Sequence, residues 1–356
     1  MKRHGNLFDS LVSFENLHLA ANKARKSKRH KPDVARYFAD LENNLICLQR
    51  SLGDLSWQPG PYRSFEIREP KTRLISAAHF SDRVVHHALC NIVEPLIDRS
   101  FIYDSYANRK GKGTHRAILR CGDFMRCYPY VLQCDIRKYF PSIDHQILKA
   151  ELHRRLKDRR VLLLLERIID GSNQQEAVYA TFPGDDLFTP LERRQGLPIG
   201  NLTSQFLANL YMDPLDQFIK RHLKCRAYLR YSDDFLLFAA DKRTLNDWRA
   251  ELVSFLSGLR LRLHSGKSRV YPSRDGITFL GFRHFPHYRR IVRPTVTRRW
   301  QRLKELQAAY RLGEIGLGDV TASMAAWNGH ARYANSWSLR EQMMEGVVFS
   351  QPEGVQ

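Results

Sequence analysis

The feature that most constrains this chain is a pair of apolar segments joined by an acidic turn. Residues 227–231 and 235–240 are short runs rich in β-forming residues, separated only by a Ser-Asp-Asp sequence at 232–234. Two such runs around a tight turn predict a β-hairpin. A third apolar run, 130–136, is typical of a buried strand and has Asp135 near its end. The order of strands and helical patterns predicts a ferredoxin-like split unit.

Three carboxylates would therefore meet at the ends of neighbouring strands. Like charges at short range repel, so such a cluster is costly unless cations neutralise it. Two Mg²⁺ ions held by carboxylates and substrate phosphates activate an attacking hydroxyl and stabilise a leaving pyrophosphate. Asp is also common in ordinary turns, and Asp135 alone would equally cap the turn that follows it. The occurrence of both sites in one frame favours the catalytic interpretation.

The composition indicates a folded protein with a polyanionic partner. Lys and Arg number 57 against 37 Asp and Glu, a formal net charge of +20 over 356 residues, and 43% of the residues are apolar. That apolar fraction supports packed cores and excludes a disordered basic tail protein. The charge favours nucleic acid, although a basic but ordinary enzyme also fits. Basic runs at 23–31, 153–160 and 298–304 would contact phosphates or else form solvated helix faces.

The cysteines and the N-terminus are typical of a protein from a reducing compartment. The six cysteines form no C-x-x-C pair, which favours inert thiols over a disulfide framework. The N-terminal residues lack the apolar run of a secretory leader, and no segment approaches the roughly 20 apolar residues that span a bilayer. We therefore expect a cytoplasmic protein without a membrane partner.

The sequence resembles reverse transcriptases over nearly its whole length. Seven segments occur in that family's order: EPKTRLISAAHFSDRVVHHAL, SYANRKGKGTHRAI, CDIRKYFPSID, RRQGLPIGNLTSQ, YSDD, SGKSRV and FLGF. Their order makes the resemblance specific, whereas no single segment would. It implies an α+β right-hand polymerase with fingers, a ferredoxin-like palm and a helical thumb, and an RNA-directed DNA polymerase activity. Intact acidic positions argue against a catalytically silent nucleic-acid scaffold.

The resemblance also predicts how the chain is divided. We expect an N-terminal helical basic extension at 1–60, fingers at 61–129, a palm at 130–285 with a fingers insertion at about 145–194, a helical thumb at 286–345 and a flexible tail at 346–356. Hydrophobic periodicity predicts helices at 82–97, 145–169, 201–223 and 297–310. The FLGF segment at 279–282 is expected to be a short strand.

Catalytic roles follow from the same resemblance. Asp135 and Asp233 would be the main metal ligands, Asp234 would support them, and the backbone carbonyl of Ile136 would also reach the metal. The cofactor would be two Mg²⁺ ions, with Mn²⁺ as an alternative. Lys267 would protonate the leaving pyrophosphate, unless it is only a solvated turn residue.

The nucleotide would be held by a second group of residues. Phe140 matches the steric-gate position, where an aromatic ring excludes a ribose 2′-hydroxyl, although an ordinary core Phe is the alternative. Lys71 and Arg73 match the fingers cations that neutralise the triphosphate, but the family's Gly-containing turn between them is shortened here. Gln195 and Gly196 match the pair near the template base, where glycine permits close backbone approach.

The segment at 199–205 distinguishes between kinds of reverse transcriptase. Retron and group II intron enzymes generally have a Ser-Pro at its end, whereas this chain has a Gly-x-x-x-Ser-Gln string resembling diversity-generating retroelements. That resemblance implies copying of a template-repeat RNA into cDNA with adenine-biased errors that diversify a target gene. The alternative is a retron, group II-like or defence-associated enzyme without a mutagenic role. The fidelity candidates are Ile199, Gly200, Ser204 and Gln205.

The implied partners are a template-repeat RNA, its RNA/cDNA hybrid and deoxynucleoside triphosphates, in a bacterial or phage-infected cell. A small basic accessory protein that forms a pentameric ring is also expected, because the chain has no large RNA-binding domain of its own. Candidate contacts to nucleic acid, each with a solvated surface residue as the alternative, are Arg109, Lys110, Lys112, Arg298, Arg299 and Arg302.

Overall fold

The computed structural model describes residues 3–68, 72–172 and 176–350. The N-terminal helices pack around one long helix, and a two-stranded antiparallel hairpin lies between them in sequence. Their bounds are α1 Phe8–Val12, α2 Phe14–Ala24, α3 Pro32–Ala39, α4 Leu41–Gly53, β1 Arg63–Ile67, β2 Arg73–Ala77 and the long helix α5 Phe80–Asp98. Strands β1 and β2 pair along their whole length, from Arg63 opposite Ala77 to Ile67 opposite Arg73.

A four-stranded antiparallel sheet lies at the centre, in the order β4-β5-β3-β6. Leu132 and Cys134 of β3 belong to the larger core, whereas Val131 faces a smaller core. Because successive strand residues point to opposite faces and both faces are covered, β3 and β5 have apolar residues on both faces. The bounds are β3 Tyr130–Asp135, β4 Tyr228–Tyr231, β5 Asp234–Ala239 and β6 Arg269–Pro272.

Helices cover this sheet and connect its strands. Helices α6 and α12 contact the sheet strands, and α11 packs on α5 and α8. The helices are α6 Thr114–Cys127, α7 Tyr139–Ser142, α8 His145–Arg155, α9 Arg159–Asp170, α10 Thr189–Glu192, α11 Leu202–Gln217 and α12 Lys242–Gly258. The predicted single helix at 145–169 is thus two helices, because Asp158 accepts hydrogen bonds as the cap of α9.

A small sheet and three helices complete the described chain. They are β7 Ile277–Phe279, β8 Phe282–His284, β9 Arg289–Ile291, α13 Arg293–Arg311, α14 Leu317–Ala331 and α15 Trp337–Glu345. The prediction of a strand at 279–282 is wrong: Leu280 and Gly281 have positive φ angles of 50° and 84° and form the turn between β7 and β8.

Helices and antiparallel sheets together confirm the α+β class, while the proposed domain boundaries stay a prediction. Within the described ranges, no helix is both long and apolar enough to cross a bilayer.

Candidate active site

The acidic turn is tighter than the sequence indicated. Tyr231 pairs with Asp234, so only Ser232 and Asp233 form the turn and Asp234 already belongs to β5. Ser232 has a φ of 58°. A non-glycine residue in that region costs about 1–2 kcal/mol, so the surrounding contacts must hold it there.

Strand register brings the three carboxylates together. Asp135, the last residue of β3, lies directly opposite Asp234 on β5. The backbone N–H of Ile136 donates to the carbonyl of Asp233 at 3.3 Å. Directly opposed residues have Cβ atoms about 5 Å apart, so the predicted cluster of Asp135, Asp233 and Asp234 forms at one end of the sheet.

The cluster is electrostatically strained. Burial raises the pKa of Asp233, and the charge of Asp135 raises it further. Burial, followed by the charges of Asp233 and Asp135, raises the pKa of Asp234 to about 7. Both effects oppose the ionised forms, so a cation at this position would relieve them.

Lys267 supplies one such charge. Its Nζ donates to Oδ2 of Asp135 at 2.5 Å, and this hydrogen bond raises the pKa of the ammonium group. The backbone of the same turn is fixed to the strand, since the N–H of His264 donates to the carbonyl of Asp135 at 2.8 Å. The Lys267 side chain is 46% exposed, so the ammonium can leave the carboxylate without crossing a packed core.

Across residues 3–68, 72–172 and 176–350, no group of three or more His, Cys, Asp or Glu side chains already has the geometry of a metal site. At the acidic cluster, the lysine engages one carboxylate. The donor chemistry nevertheless suits a hard divalent cation, which prefers carboxylate and carbonyl oxygens. Asp135, Asp233, Asp234 and the carbonyl of Ile136 are the groups that could hold it.

Three of the predicted nucleotide-side residues, Phe140, Gln195 and Gly196, lie on one loop and one short helix. Gly196 donates its N–H to the carbonyl of Ile143 at 2.8 Å, and Leu197 donates to the carbonyl of Phe140 at 3.0 Å. Gly196 has a φ of 100°, a conformation that favours glycine. Phe140 is half-buried on α7, and the Gln195 side chain donates to the carbonyl of Val178 at 2.5 Å.

The next residues fasten this loop to the N-terminal hairpin. The carbonyl of Ile199 accepts from the N–H of Ser76 at 3.0 Å. A Cβ on Gly200, whose φ is 117°, would come within 2.8 Å of Ile75. The buried Asn201 donates to the carbonyl of Ser76 at 2.9 Å. Sequence reasoning missed Asn201, because its role depends on a partner 125 residues away.

Helix α11 begins directly after this attachment. Ser204 is buried and Gln205 is half-buried in its first turn. Arg73 is exposed as the first residue of β2, whereas Lys71 lies outside the described residues. The structure thus brings two of the fidelity candidates, Ile199 and Gly200, next to the hairpin that includes Arg73.

Two of the arginines assigned to nucleic acid are engaged inside the protein, which corrects that prediction. Arg109 has a side chain that is 7% exposed, and it forms an ion pair with Asp98 at 2.5 Å. Arg299 is 8% exposed and donates to the Ser323 hydroxyl at 3.0 Å, which joins α13 to α14. Both guanidinium groups therefore have partners within the protein.

The other basic candidates stay available at the surface. Lys110, Arg298 and Arg302 are exposed. Lys112 is partly committed, because its ammonium lies 3.2 Å from the centroid of the Tyr103 ring. These four positions remain predictions for phosphate contact.

A large cavity lies away from the acidic cluster. It has a volume of about 1300 Å³ and is lined by residues at the C-terminal ends of α8 and α11, including Arg154, Arg155 and Asp213. None of the three aspartates of the acidic cluster lines it, so this cavity is separate from that cluster.

Comparison with known proteins agrees with the geometry. Residues 66–284 match the family described as reverse transcriptase (RNA-dependent DNA polymerase). Protein YkfC of Escherichia coli is 26% identical over 69% of this chain and 72% of its own length. The group II intron-encoded protein LtrA of Lactococcus lactis is 24% identical over 58% of this chain, which spans only 33% of LtrA.

Among solved structures, the apo telomerase of Candida tropicalis is similar with a TM-score of 0.46 at 12% identity, over 64% of this chain and 47% of the telomerase. The family match extends over more than half of the chain and includes all three aspartates, Lys267 and the loop at 195–205. The chain therefore belongs to the reverse transcriptase family.

Proposed function

We propose that this chain copies RNA into DNA at the cluster of Asp135, Asp233 and Asp234. The observation that best supports this function is the register of β3 and β5, which sets Asp135 opposite Asp234 beside the turn with Asp233. In this proposal, residues 61–129 form the fingers, 130–285 the palm and 286–345 the thumb.

The three aspartates and the carbonyl of Ile136 would hold two divalent cations, Mg²⁺ or alternatively Mn²⁺. Bound cations supply activation of a primer 3′-hydroxyl and neutralisation of charge on the leaving pyrophosphate. The raised pKa values of Asp233 and Asp234 support this proposal, because they reflect the repulsion that bound cations offset.

The chain's own side chains would bind the nucleotide and move a proton. Lys267 would release Asp135 when that carboxylate binds metal, and its ammonium would then donate a proton to the pyrophosphate. Phe140 would exclude a ribose 2′-hydroxyl. Arg73, with Lys71, would pair with the triphosphate, and Gln195 and Gly196 would lie beside the template base.

Primer extension on an RNA template tests this function. We expect wild-type protein with Mg²⁺ and all four deoxynucleotides to extend a DNA primer, and Asp233→Asn to give no detectable product. Asp247→Asn is the matched control, because Asp247 is exposed on α12. Full extension by Asp233→Asn would sink the assignment of the metal site.

The finer proposal is a diversity-generating reverse transcriptase that copies a template-repeat RNA with errors at adenines. It is supported by the 199–205 segment, in which Gly200 contacts the β2 hairpin and Gln205 lies in the first turn of α11. We hypothesise that the Gln205 amide loosens selection against a mispair at a template adenine.

Sequencing of the cDNA tests this hypothesis. We expect adenine-biased errors from wild-type protein and fewer of them from Gln205→Pro. Gln205→Ala is a useful second variant, because it keeps the backbone N–H that points to the carbonyl of Asn201 at 3.4 Å. An unchanged adenine spectrum in both variants would contradict the role of Gln205.

The alternative is a group II-like enzyme without a mutagenic role, which the similarity to the intron-encoded LtrA favours. Uniform errors across the four template bases in wild-type cDNA would support it. We also propose a small basic accessory protein as a partner for the template RNA. Equal yields of full-length cDNA with and without that protein would argue against it.

A further inference from the structure

Arg230 is a charged residue in the middle of a buried apolar strand. It lies on β4, two residues before Ser232. Among the described residues, its side chain has the largest volume of those that are fully buried. Its Nε and Nη2 donate to the two carboxylate oxygens of Asp216 at 2.8 and 2.7 Å. Both side chains are 0% exposed, so this bidentate ion pair is closed to solvent.

The third nitrogen of Arg230 reaches the catalytic turn. Nη1 donates to the backbone carbonyl of Ser232 at 3.0 Å and to Oδ1 of Asn209 at 3.1 Å. Ser232 is the turn residue with the left-handed φ of 58°, and Asp233 follows it directly. The guanidinium therefore binds the carbonyl of the peptide bond between Ser232 and Asp233, directly before the Cα that bears the Asp233 side chain.

The partners of Arg230 come from a different part of the molecule. Asp216 and Asn209 both lie on α11, the helix that begins beside the 195–201 loop. The Asn209 amide also donates to the carbonyl of Ala107 at 2.8 Å. Arg230 thus joins the catalytic turn to α11 through its side-chain contacts.

A buried ion pair is a poor means of stabilisation alone. Replacing such a pair with apolar residues of similar size is often neutral or stabilising, so burial of Arg230 calls for a further reason. The planar fork of arginine bonds a carboxylate through two nitrogens and leaves another free, which lysine cannot do. We infer that Arg230 is a positioning residue for nucleotide addition: held by Asp216, it fixes the Ser232 carbonyl and so places Asp233.

This inference rests on the proposed role of Asp233, so the Asp233→Asn result is read first. If Asp233→Asn keeps its activity, the proposed function fails. If Asp233→Asn is inactive and the Arg230 variants behave as wild type, only the present inference fails.

Arg230→Lys is the first test, with Arg155→Lys as its matched control. Arg155 is also a buried arginine paired with an aspartate of α11, Asp213, but it lines the large cavity and its other hydrogen-bond partner is Glu151 of α8. We expect both variants to bind a primer–template duplex with wild-type Kd. Arg230→Lys should lower kcat about 10²-fold, the scale of a 1 Å misplacement, with KM for deoxynucleotide changed less than about threefold. Equal kcat values for the two variants would overturn the inference.

A triple variant keeps the test decisive if Arg230→Lys does not fold. Arg230→Met with Asp216→Leu and Tyr228→Phe removes the pair and the Tyr228 hydroxyl that donates to Asp216 at 2.6 Å. We expect a folded protein with a Tm near that of the wild type, faster amide hydrogen exchange confined to residues 230–235, and the same fall in kcat. Wild-type exchange and wild-type kcat in the folded triple variant would overturn the inference.

Discussion

Two ion pairs flank the acidic hairpin, and they differ in their access to water. Arg230 and Asp216 are both 0% exposed, whereas Lys267 and Asp135 are 46% and 12% exposed. Opposite charges hold both pairs together, but only the pair of Lys267 and Asp135 is open to solvent. The buried pair is a permanent part of the fold, and the exposed pair can open when Asp135 takes another partner.

The buried pair should be the more costly to break. In Asp216→Leu the guanidinium of Arg230 loses its carboxylate while it stays buried, which costs about 3–5 kcal/mol. Urea unfolding measures this change, with Asp247→Leu on the exposed face of α12 as the control. A decrease of less than about 1 kcal/mol in the free energy of unfolding would contradict the cost expected for breaking a buried ion pair.

The exposed pair should matter more for activity. Lys267→Met removes the proposed proton donor and should slow single-turnover incorporation about 10²-fold, the lower range for general acid catalysis. Saturating deoxynucleotide is used so that weaker binding does not obscure the chemical step. An unchanged rate would leave Lys267 as a surface turn residue.

The carboxylates beside this pair should make stability depend on pH. The pKa of Asp234 in the folded protein is about 7, above its usual value of 3.8. The metal-free folded state therefore binds a proton that the unfolded chain has released, so the free energy of unfolding falls as pH rises from about 4 to 7, by at most about 1.4 kcal/mol per pH unit. Urea titrations in a chelator should show this slope and a smaller one in Asp234→Asn, in which Asp233, whose pKa is raised chiefly by burial, still contributes. The same slope in both proteins would contradict it.

The smallest effect is the stability of Lys267→Met. An exposed ion pair contributes about 0–1 kcal/mol, so the free energy of unfolding should stay within about 1 kcal/mol of the wild type. Urea unfolding at neutral pH measures it beside Asp216→Leu. A loss as large as that of Asp216→Leu would erase the distinction between the two pairs.

The acidic strands could be predicted from sequence because their signals are local. Apolar runs ending at Asp135 and around Asp233 gave the correct strands, and β-sheet register then brought the carboxylates together. The prediction of a strand at the FLGF segment was wrong, because two of its residues adopt positive φ angles that the apolar pattern does not reveal.

The sequence could not distinguish structural arginines from surface arginines, because their partners lie far away along the chain. The sequence predicted Arg109 as a surface cation, but in the structure it forms an ion pair with Asp98. Arg230 interrupts an apolar strand, which was a visible signal, but Asp216 and Asn209 are 14 and 21 residues away. Only the folded structure, in which α11 brings Asp216 and Asn209 to Arg230 on β4, shows that this charge is structural.

The most direct test of the acidic centre is the rate of single-nucleotide addition by Asp135→Asn on an RNA template with Mg²⁺. This substitution keeps the size of the side chain that opposes Asp234 and bonds Lys267, but removes its charge. We expect a fall of about 10³-fold or more relative to the wild type, since metal-assisted stabilisation contributes several kcal/mol, with unchanged primer–template affinity. A rate within tenfold of the wild type would contradict the account.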